Sequence, residues 1–113
     1  MKILHNPRCR KSREGLKILE ESGNEFEIVD YLNQPLEKEE IRDLLRKLDM
    51  EPIELVRRNE AIWKENYKGR DLSNEEVVDA LSKHPKLIER PIVIVGDKAI
   101  VGRPPENILE ILP

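Results

Sequence analysis

The residues of this chain that could do chemistry gather around Cys9, the single cysteine among 113 residues. Cys9 lies in the run His-Asn-Pro-Arg-Cys-Arg-Lys-Ser-Arg at positions 5–13. Apolar Ile3 and Leu4 precede this run, and apolar residues recur at helical spacing from Leu16 onward. The pattern therefore predicts that Cys9 lies between a strand and the first turn of a helix. Unpaired backbone N–H groups and the helix dipole favour a thiolate there.

The charge around Cys9 favours the same interpretation. The first thirteen residues carry +5 and contain no acid, whereas the whole chain has a net charge of −3. A lone cysteine is most often a small buried hydrophobe. Burial is disfavoured here because Arg8 and Arg10 flank the cysteine, and guanidinium groups are rarely buried without a partner. The sequence therefore predicts that Cys9 is a reactive, partly exposed nucleophile.

Length and composition limit the class of protein. A chain of 113 residues with 38% apolar and 38% charged residues fits one domain, residues 1–113. One cysteine excludes an internal disulfide and a cysteine-rich zinc site, and two histidines leave little material for any metal centre. The acidic net charge argues against general nucleic-acid affinity. No apolar run suits a membrane span or a signal peptide, so a cytoplasmic location is expected.

The apolar pattern predicts an α/β fold. A strand at 2–5, a helix at 9–22 and a strand at 26–30 come first. The chain ends with a hairpin over 91–101 and a helix over 106–112. This order, β-α-β followed later by β-β-α, is a thioredoxin-like layout with a mixed four-stranded sheet.

The middle of the chain is predicted to be helical. Apolar residues at 41–48 follow one face of an amphipathic helix, and 73–76 is a capping signature before another. We therefore expect two thioredoxin-like halves, 1–34 and 86–113, separated by an all-helical insertion at about 35–85.

Four sequence motifs resemble those of the glutaredoxin-coupled arsenate reductase family and of its relatives, the Spx-type redox regulators. The resemblance extends over essentially the whole chain and implies a thioredoxin-like fold with a helical insertion. The motifs around the cysteine and around Arg90-Pro91 are the most specific. In chain order, the motifs are His5-Asn6-Pro7-x-Cys9-x-x-Ser12-Arg13, Leu55-Val56-Arg57-Arg58-Asn59, His84-Pro85-x-Leu87-Ile88-x-Arg90-Pro91-Ile92-Val93 and Gly102-Arg103-Pro104.

The resemblance also implies the main site residues. Cys9 would be the family's nucleophilic cysteine. The family's three anion-binding arginines would fall on Arg57, Arg90 and Arg103. Arg58 stays an alternative to Arg57, because a shift of one residue exchanges the two.

Five further residues are predicted to support the site. The Ser12 hydroxyl, one helical turn after the cysteine, could hydrogen-bond the thiolate or be an ordinary helix-start hydroxyl. His5 could orient the loop, act on the thiol or simply pack at the strand end. Asn6 is expected to brace the loop through bonds to the backbone. Arg13 completes the cysteine motif, and the resemblance implies that Pro91 is a cis proline beside the cysteine.

The resemblance implies reduction of arsenate or a similar oxyanion, beginning with attack of the Cys9 thiolate on arsenic. Arginines suit a tetrahedral oxyanion because their planar fork makes charge-assisted hydrogen bonds. With no second cysteine in the chain, an external thiol must finish the reduction, and the family implies glutathione and then glutaredoxin, with no bound cofactor. Arg10 and Lys11 depart from the small residues of well-known reductases, so the substrate stays open.

Two other functions fit the same residues. One is a Spx-type regulator that binds RNA polymerase, although Ser12 replaces the second cysteine of the usual Cys-x-x-Cys switch. The other is a monothiol oxidoreductase that acts on another substrate. The phosphatase-like arsenate reductases are set aside, because they need an arginine six residues after the cysteine and Gly15 occupies that position.

Overall fold

Four strands of the computed structural model, which describes residues 1–113, form one mixed sheet in the order β2-β1-β3-β4. β1 pairs with β2 in parallel and with β3 in antiparallel, and β3 and β4 form an antiparallel hairpin. The predicted mixed four-stranded sheet is therefore confirmed. The strands are β1, Lys2–Leu4; β2, Glu27–Val29; β3, Ile92–Val95; and β4, Lys98–Val101.

Two helical segments accompany this sheet. Helix α1, Arg10–Glu21, connects β1 to β2, and a 3-10 helix, Pro105–Glu110, follows β4. The two segments contact each other. A core of fully buried apolar residues joins both segments to the strands. Helix α1 contributes to this core because its apolar side chains recur on one face. Strands and helices together form the predicted thioredoxin-like fold, with its core at Ile3, Leu19, Val93 and Ile108.

The chain divides into two compact units. The sheet and its helices form the first unit, Met1–Tyr31 together with Arg90–Pro113. The second unit is Leu32–Glu89. These limits lie within a few residues of the boundaries that the sequence predicts.

The second unit contains three α-helices: α2, Lys38–Leu48; α3, Ala61–Asn66; and α4, Asn74–Lys83. Helices α2 and α4 pack together through the apolar face that the sequence predicts. The unit is not entirely helical, because Val56 and Ile88 form an isolated antiparallel bridge. The buried residues of the two packed helices are Ile41, Leu44, Leu45, Val77, Val78, Ala80 and Leu81.

The last helix differs from its prediction. It spans Pro105–Glu110 rather than 106–112, and it is a 3-10 helix. The Asn107 N–H donates to the Pro104 carbonyl at 3.0 Å, which is the three-residue spacing of that geometry. Such helices stay short because their hydrogen bonds are poorly aligned. None of the helices in the chain has the length and apolar character needed to cross a membrane.

Candidate active site

Cys9 is the N-cap residue of α1, with an extended backbone (φ −97°, ψ 122°). Its N–H donates to the Asn6 carbonyl at 3.0 Å, and its own carbonyl accepts the Arg13 N–H, the first helical bond, at 3.0 Å. An N-cap side chain projects over the open N–H groups of the first turn. The half-buried thiol is therefore presented at the positive end of the helix.

A buried hydrogen-bond network joins the residues after β1 to the first turn of α1. The Ser12 Oγ accepts the Asn6 N–H at 2.9 Å and lies 2.7 Å from His5 Nδ1. All three residues are buried, with Ser12 completely inaccessible. The Ser12 hydroxyl is thus engaged with the strand end and makes no hydrogen bond to the sulfur, unlike the first of its two predicted roles.

Burial, the largest influence, lowers the pKa of His5 below its ordinary value. The positive charge of Arg13 lowers it further, while a hydrogen bond with the Ser12 backbone and the charge of Glu20 raise it in part. The neutral form of the His5 imidazole is therefore favoured. A neutral imidazole can accept a hydrogen bond from the Ser12 hydroxyl at Nδ1, while the Ser12 oxygen accepts the Asn6 N–H. His5 thereby helps to hold the loop between β1 and α1 in place.

Two further hydrogen bonds brace the loop before α1. The Asn6 Oδ1 accepts the Arg8 N–H at 3.0 Å, which is the side-chain-to-backbone bond expected of this asparagine. Arg13 Nη1 donates to the Pro7 carbonyl at 3.0 Å. Both bonds close the loop on itself, so the backbone that carries Cys9 is held from both sides.

The segment around β3 and β4 brings two arginines to the thiol. Arg103 Nη2 donates to Cys9 Sγ at 3.3 Å, and Arg103 Nε donates to the Arg90 carbonyl at 2.8 Å. The Arg90 side chain also acts on the sulfur, because its hydrogen bond and its charge lower the pKa of the thiol. The Arg90–Pro91 peptide bond is cis. The first unit therefore brings together Cys9 and two of the three arginines that the resemblance implies.

Opposing influences set the pKa of the Cys9 thiol. Partial burial, the largest single one, raises it. The backbone N–H of Ser12, the hydrogen bond and charge of Arg90, and the charge of Arg103 outweigh burial, so the pKa is lowered overall. The Ser12 N–H lowers the pKa although it does not form a capping hydrogen bond of full geometry with the sulfur. Cys9 therefore has more thiolate character than an ordinary cysteine.

Two glycines that were not predicted as site residues allow the close packing around Cys9 and the arginines. A Cβ on Gly15 would lie 2.7 Å from Pro91 Cγ and 2.9 Å from Ile108 Cδ1. A Cβ on Gly102 would lie 2.9 Å from the same two atoms. The absence of side chains lets α1 and the arginine segment approach closely. One signal was present in the sequence, because a glycine inside a helix costs about 1 kcal/mol relative to alanine and calls for a packing reason.

Asn107 is a further residue that the sequence did not single out. Its Nδ2 donates to the Arg103 carbonyl at 3.1 Å. Gly102 N–H also donates to the Pro91 carbonyl at 2.8 Å. These bonds hold the backbone on both sides of the arginine that contacts the sulfur, and only the tertiary structure reveals them.

Arg57, the third predicted arginine, belongs to the second unit. The backbone N–H of Arg57 donates to the Leu87 carbonyl at 2.7 Å. Arg57 Nε lies 3.7 Å from Glu60 Oε1, and Arg57 Nη1 lies 3.6 Å from Glu89 Oε1. These are ion-pair distances rather than hydrogen bonds, and the buried Nε has no hydrogen-bond acceptor. Arg57 is half-buried whereas Arg58 is exposed, and its role in anion binding stays a prediction.

The structure contains no group of three or more histidine, cysteine, aspartate or glutamate side chains arranged to hold a metal ion.

Known proteins similar to this chain share its whole length. A model of the ArsC family matches residues 4–111. The uncharacterized protein YfgD of Escherichia coli K12 is 49% identical over 99% of this chain and 96% of its own. An arsenate reductase of Haemophilus influenzae is 45% identical over 97% of each chain. The solved structure of an arsenate reductase from Vibrio cholerae has a TM-score of 0.92 at 41% identity, covering 99% of this chain and 98% of that one.

Proposed function

This chain belongs to the ArsC family, and we propose that it is an oxidoreductase that reduces arsenate or a closely similar oxyanion, with Cys9 as the nucleophile. The observation that carries the proposal is the hydrogen bond of 3.3 Å from the Arg103 guanidinium to the Cys9 sulfur. A thiolate beside fixed cations can attack a bound anion that would otherwise be repelled. The arsenate reductases that are 41–45% identical to this chain support the substrate class.

The oxyanion would be held by groups that already surround the thiol. Arg90 and Arg103 offer planar donors, which suit the oxygens of a tetrahedral anion. The N–H groups of the first turn of α1 offer further donors at the positive end of a 12-residue helix. Arg57 stays the third anion-binding arginine that the resemblance implies, and Glu60 and Glu89 lie at ion-pair distance from it within its own unit.

The reaction proceeds through the Cys9 sulfur. The thiolate forms a bond to arsenic, and one arsenate oxygen leaves as water after protonation. A first external thiolate then attacks the Cys9 sulfur, so a disulfide bond forms while the sulfur–arsenic electron pair stays on arsenic. Arsenic(V) becomes arsenic(III), and Cys9 is left as a mixed disulfide. A second thiol reduces that disulfide and returns Cys9 as a thiolate.

The reductant must come from outside the chain, because Cys9 is the only cysteine. We propose glutathione for the first thiol and glutaredoxin for the reduction of the mixed disulfide, following the family resemblance. Cys9 suits this cycle because its lowered pKa makes it both a nucleophile toward arsenic and a good leaving group from a mixed disulfide.

The proposal is tested by arsenate-dependent oxidation of NADPH in the presence of glutathione, glutaredoxin and glutathione reductase. Wild type is expected to turn over, and Cys9→Ser is expected to be inactive. Replacing Lys17, an exposed cation on α1 that pairs with Glu21, by glutamine provides a matched control that should keep full activity. Absence of arsenate-dependent turnover with every thiol donor would refute the reductase function.

The arginines are tested separately from the thiol. Arg103→Ala is expected to weaken arsenate binding, because it removes a charge-assisted donor beside the sulfur. Equilibrium binding of arsenate to Cys9→Ser, with and without Arg103→Ala, measures that donor without any turnover. Binding of RNA polymerase that survives Cys9→Ala, combined with no arsenate turnover, would instead favour the regulator.

A further inference from the structure

The Arg103 guanidinium reaches the sulfur with one edge of its planar fork. Its Nε donates to the Arg90 carbonyl at 2.8 Å, and its Nη2, on the same edge, donates to Cys9 Sγ at 3.3 Å. Two donors on one rigid edge set both the position and the direction of the group. An arginine side chain is long and rich in rotamers. The position of its backbone therefore decides whether this edge meets the sulfur.

Asn107 holds the Arg103 backbone on its C-terminal side. The Asn107 Nδ2 donates to the Arg103 carbonyl at 3.1 Å, and the Asn107 backbone N–H donates to the Pro104 carbonyl at 3.0 Å. One residue of the 3-10 helix therefore binds two successive carbonyls at the start of that helix. On the N-terminal side, the Gly102 N–H donates to the Pro91 carbonyl at 2.8 Å. The backbone of the arginine is thus held on both sides.

A side chain bonded to a carbonyl four residues earlier is also an ordinary feature of helices. The chain contains a second example of this bond, in which Asn66 Nδ2 donates to the Ile62 carbonyl at 3.1 Å. Asn66 is exposed at the end of α3, and the residue that it holds is apolar. The two asparagines make the same bond at the same spacing and length. They differ in the residue whose carbonyl they hold.

We propose that Asn107 is a positioning residue for Cys9, because its amide holds the Arg103 carbonyl and so keeps the Arg103 guanidinium on the sulfur. The inference deepens the proposed function and rests on it for its place in the reaction. Its consequence is measurable without substrate, since the charge of Arg103 is among the influences that lower the pKa of the thiol. Arg90 and the Ser12 N–H act on the same thiol and remain when Asn107 is changed.

The experiment measures the pH midpoint of Cys9 alkylation by iodoacetamide in Asn107→Ala, Arg103→Gln and the double variant N107A/R103Q. We expect Asn107→Ala to raise the midpoint by about 0.3–1 pH unit, since part of one charge-assisted hydrogen bond is lost. Adding Asn107→Ala to Arg103→Gln should raise the midpoint no further, because a positioning residue acts through the group that it positions. Asn66→Ala removes the matched bond and should leave the midpoint unchanged.

Denaturant titration of each variant shows whether the fold is kept. Asn107→Leu is the second variant, since leucine keeps nearly the shape of the amide without its donors and is a good helix former. It is expected to raise the alkylation midpoint as Asn107→Ala does. A role of Asn107 in helix stability alone would lower the free energy of unfolding and leave the midpoint of the folded protein at the wild-type value.

An unchanged midpoint in the folded Asn107 variants overturns the inference, and so does a rise of equal size with and without Arg103. These results are separate from the outcome of the coupled arsenate assay. A raised midpoint in a protein that never reduces arsenate keeps the positioning role and removes the reductase function. An unchanged midpoint with normal arsenate turnover removes the positioning role and keeps the reductase function.

Discussion

The starts of helices α1 and α4 use the same backbone conformation for opposite purposes. Ser73 caps α4 with φ −72° and ψ 162°. Its Oγ accepts the Glu76 N–H at 3.2 Å, and the Glu76 carboxylate accepts the Ser73 N–H at 3.0 Å. Cys9 caps α1 in the same extended region but makes no capping hydrogen bond. One start satisfies its own backbone N–H groups with side chains, whereas the other leaves the N–H groups of its first turn without a side-chain cap.

The difference shows how a site is built at the expense of local stability. A capping box is worth about 0.5–2 kcal/mol, and acids in the first turn add to it. Helix α1 has neither feature. Its position depends instead on close packing at Gly15 and on the buried bonds of Ser12 to the strand end. We therefore expect changes at the cap of α4, and changes in the packing of α1, to lower the free energy of unfolding.

The largest expected effect separates chemistry from folding at Cys9. Cys9→Ser should reduce arsenate turnover by at least about 10³-fold, because serine is not an activated nucleophile there. The free energy of unfolding should change by less than about 1 kcal/mol, because serine is a favoured N-cap residue. Turnover is measured in the coupled assay and stability by denaturant titration. Loss of folding in this variant would contradict the comparison.

The second effect tests the packing of α1. In Gly15→Ala, the new methyl group would meet Pro91 Cγ at 2.7 Å, and we expect a loss of about 1–3 kcal/mol in unfolding free energy. Alkylation of Cys9 should also slow, because α1 must move away from the arginine segment. Lys17→Ala, on the exposed face of the same helix, is the control. A more stable Gly15→Ala protein would show that helix propensity outweighs the close approach.

The third effect tests the cap of α4. Ser73→Ala removes the acceptor of the Glu76 N–H and should cost about 1 kcal/mol of stability. The rate of Cys9 alkylation in the folded protein should stay unchanged. Lys64→Ala, an exposed position on α3, provides a control for mutation of the same unit. If stability were unaffected, the contrast between the two helix starts would lose its energetic basis.

The smallest effect is the pH dependence of the thiol. Alkylation by iodoacetamide should rise with pH around a midpoint below the ordinary thiol pKa, because Arg90, Arg103 and the Ser12 N–H favour the thiolate. Arg103→Gln should move that midpoint upward, and Lys17→Gln should not. A midpoint at the value of a free cysteine in wild type would remove the basis for an activated nucleophile.

The same pKa predicts a sign for stability. Because the pKa of folded Cys9 is lowered, its contribution to stability is fully present above the unfolded pKa and is lost as pH falls through the folded one. The unfolding free energy of wild type relative to Cys9→Ser should therefore rise with pH across that window. A difference that falls with pH would mean that burial outweighs the cations.

Much of the local structure followed from the sequence because it depends on neighbouring residues. The alternation at 26–30 and 91–101 predicted strands, and the observed strands Glu27–Val29, Ile92–Val95 and Lys98–Val101 lie within those limits. Gly23, with φ +76°, follows the end of α1, where glycine adopts that conformation without strain. The placement of Cys9 at a helix start among cations was likewise readable from periodicity and charge alone.

What the sequence could not decide are the contacts made across long stretches of chain. Cys9 and Arg103 are 94 positions apart, so their contact depends on the sheet that brings β1 beside β3 and on the two glycines that permit close approach. The sequence left two roles open for the Ser12 hydroxyl, and the tertiary structure shows it 2.7 Å from His5 Nδ1. Residue types and local spacing determine which groups can react, but only the tertiary structure determines which of them meet, because side-chain reach is short compared with the separation along the chain.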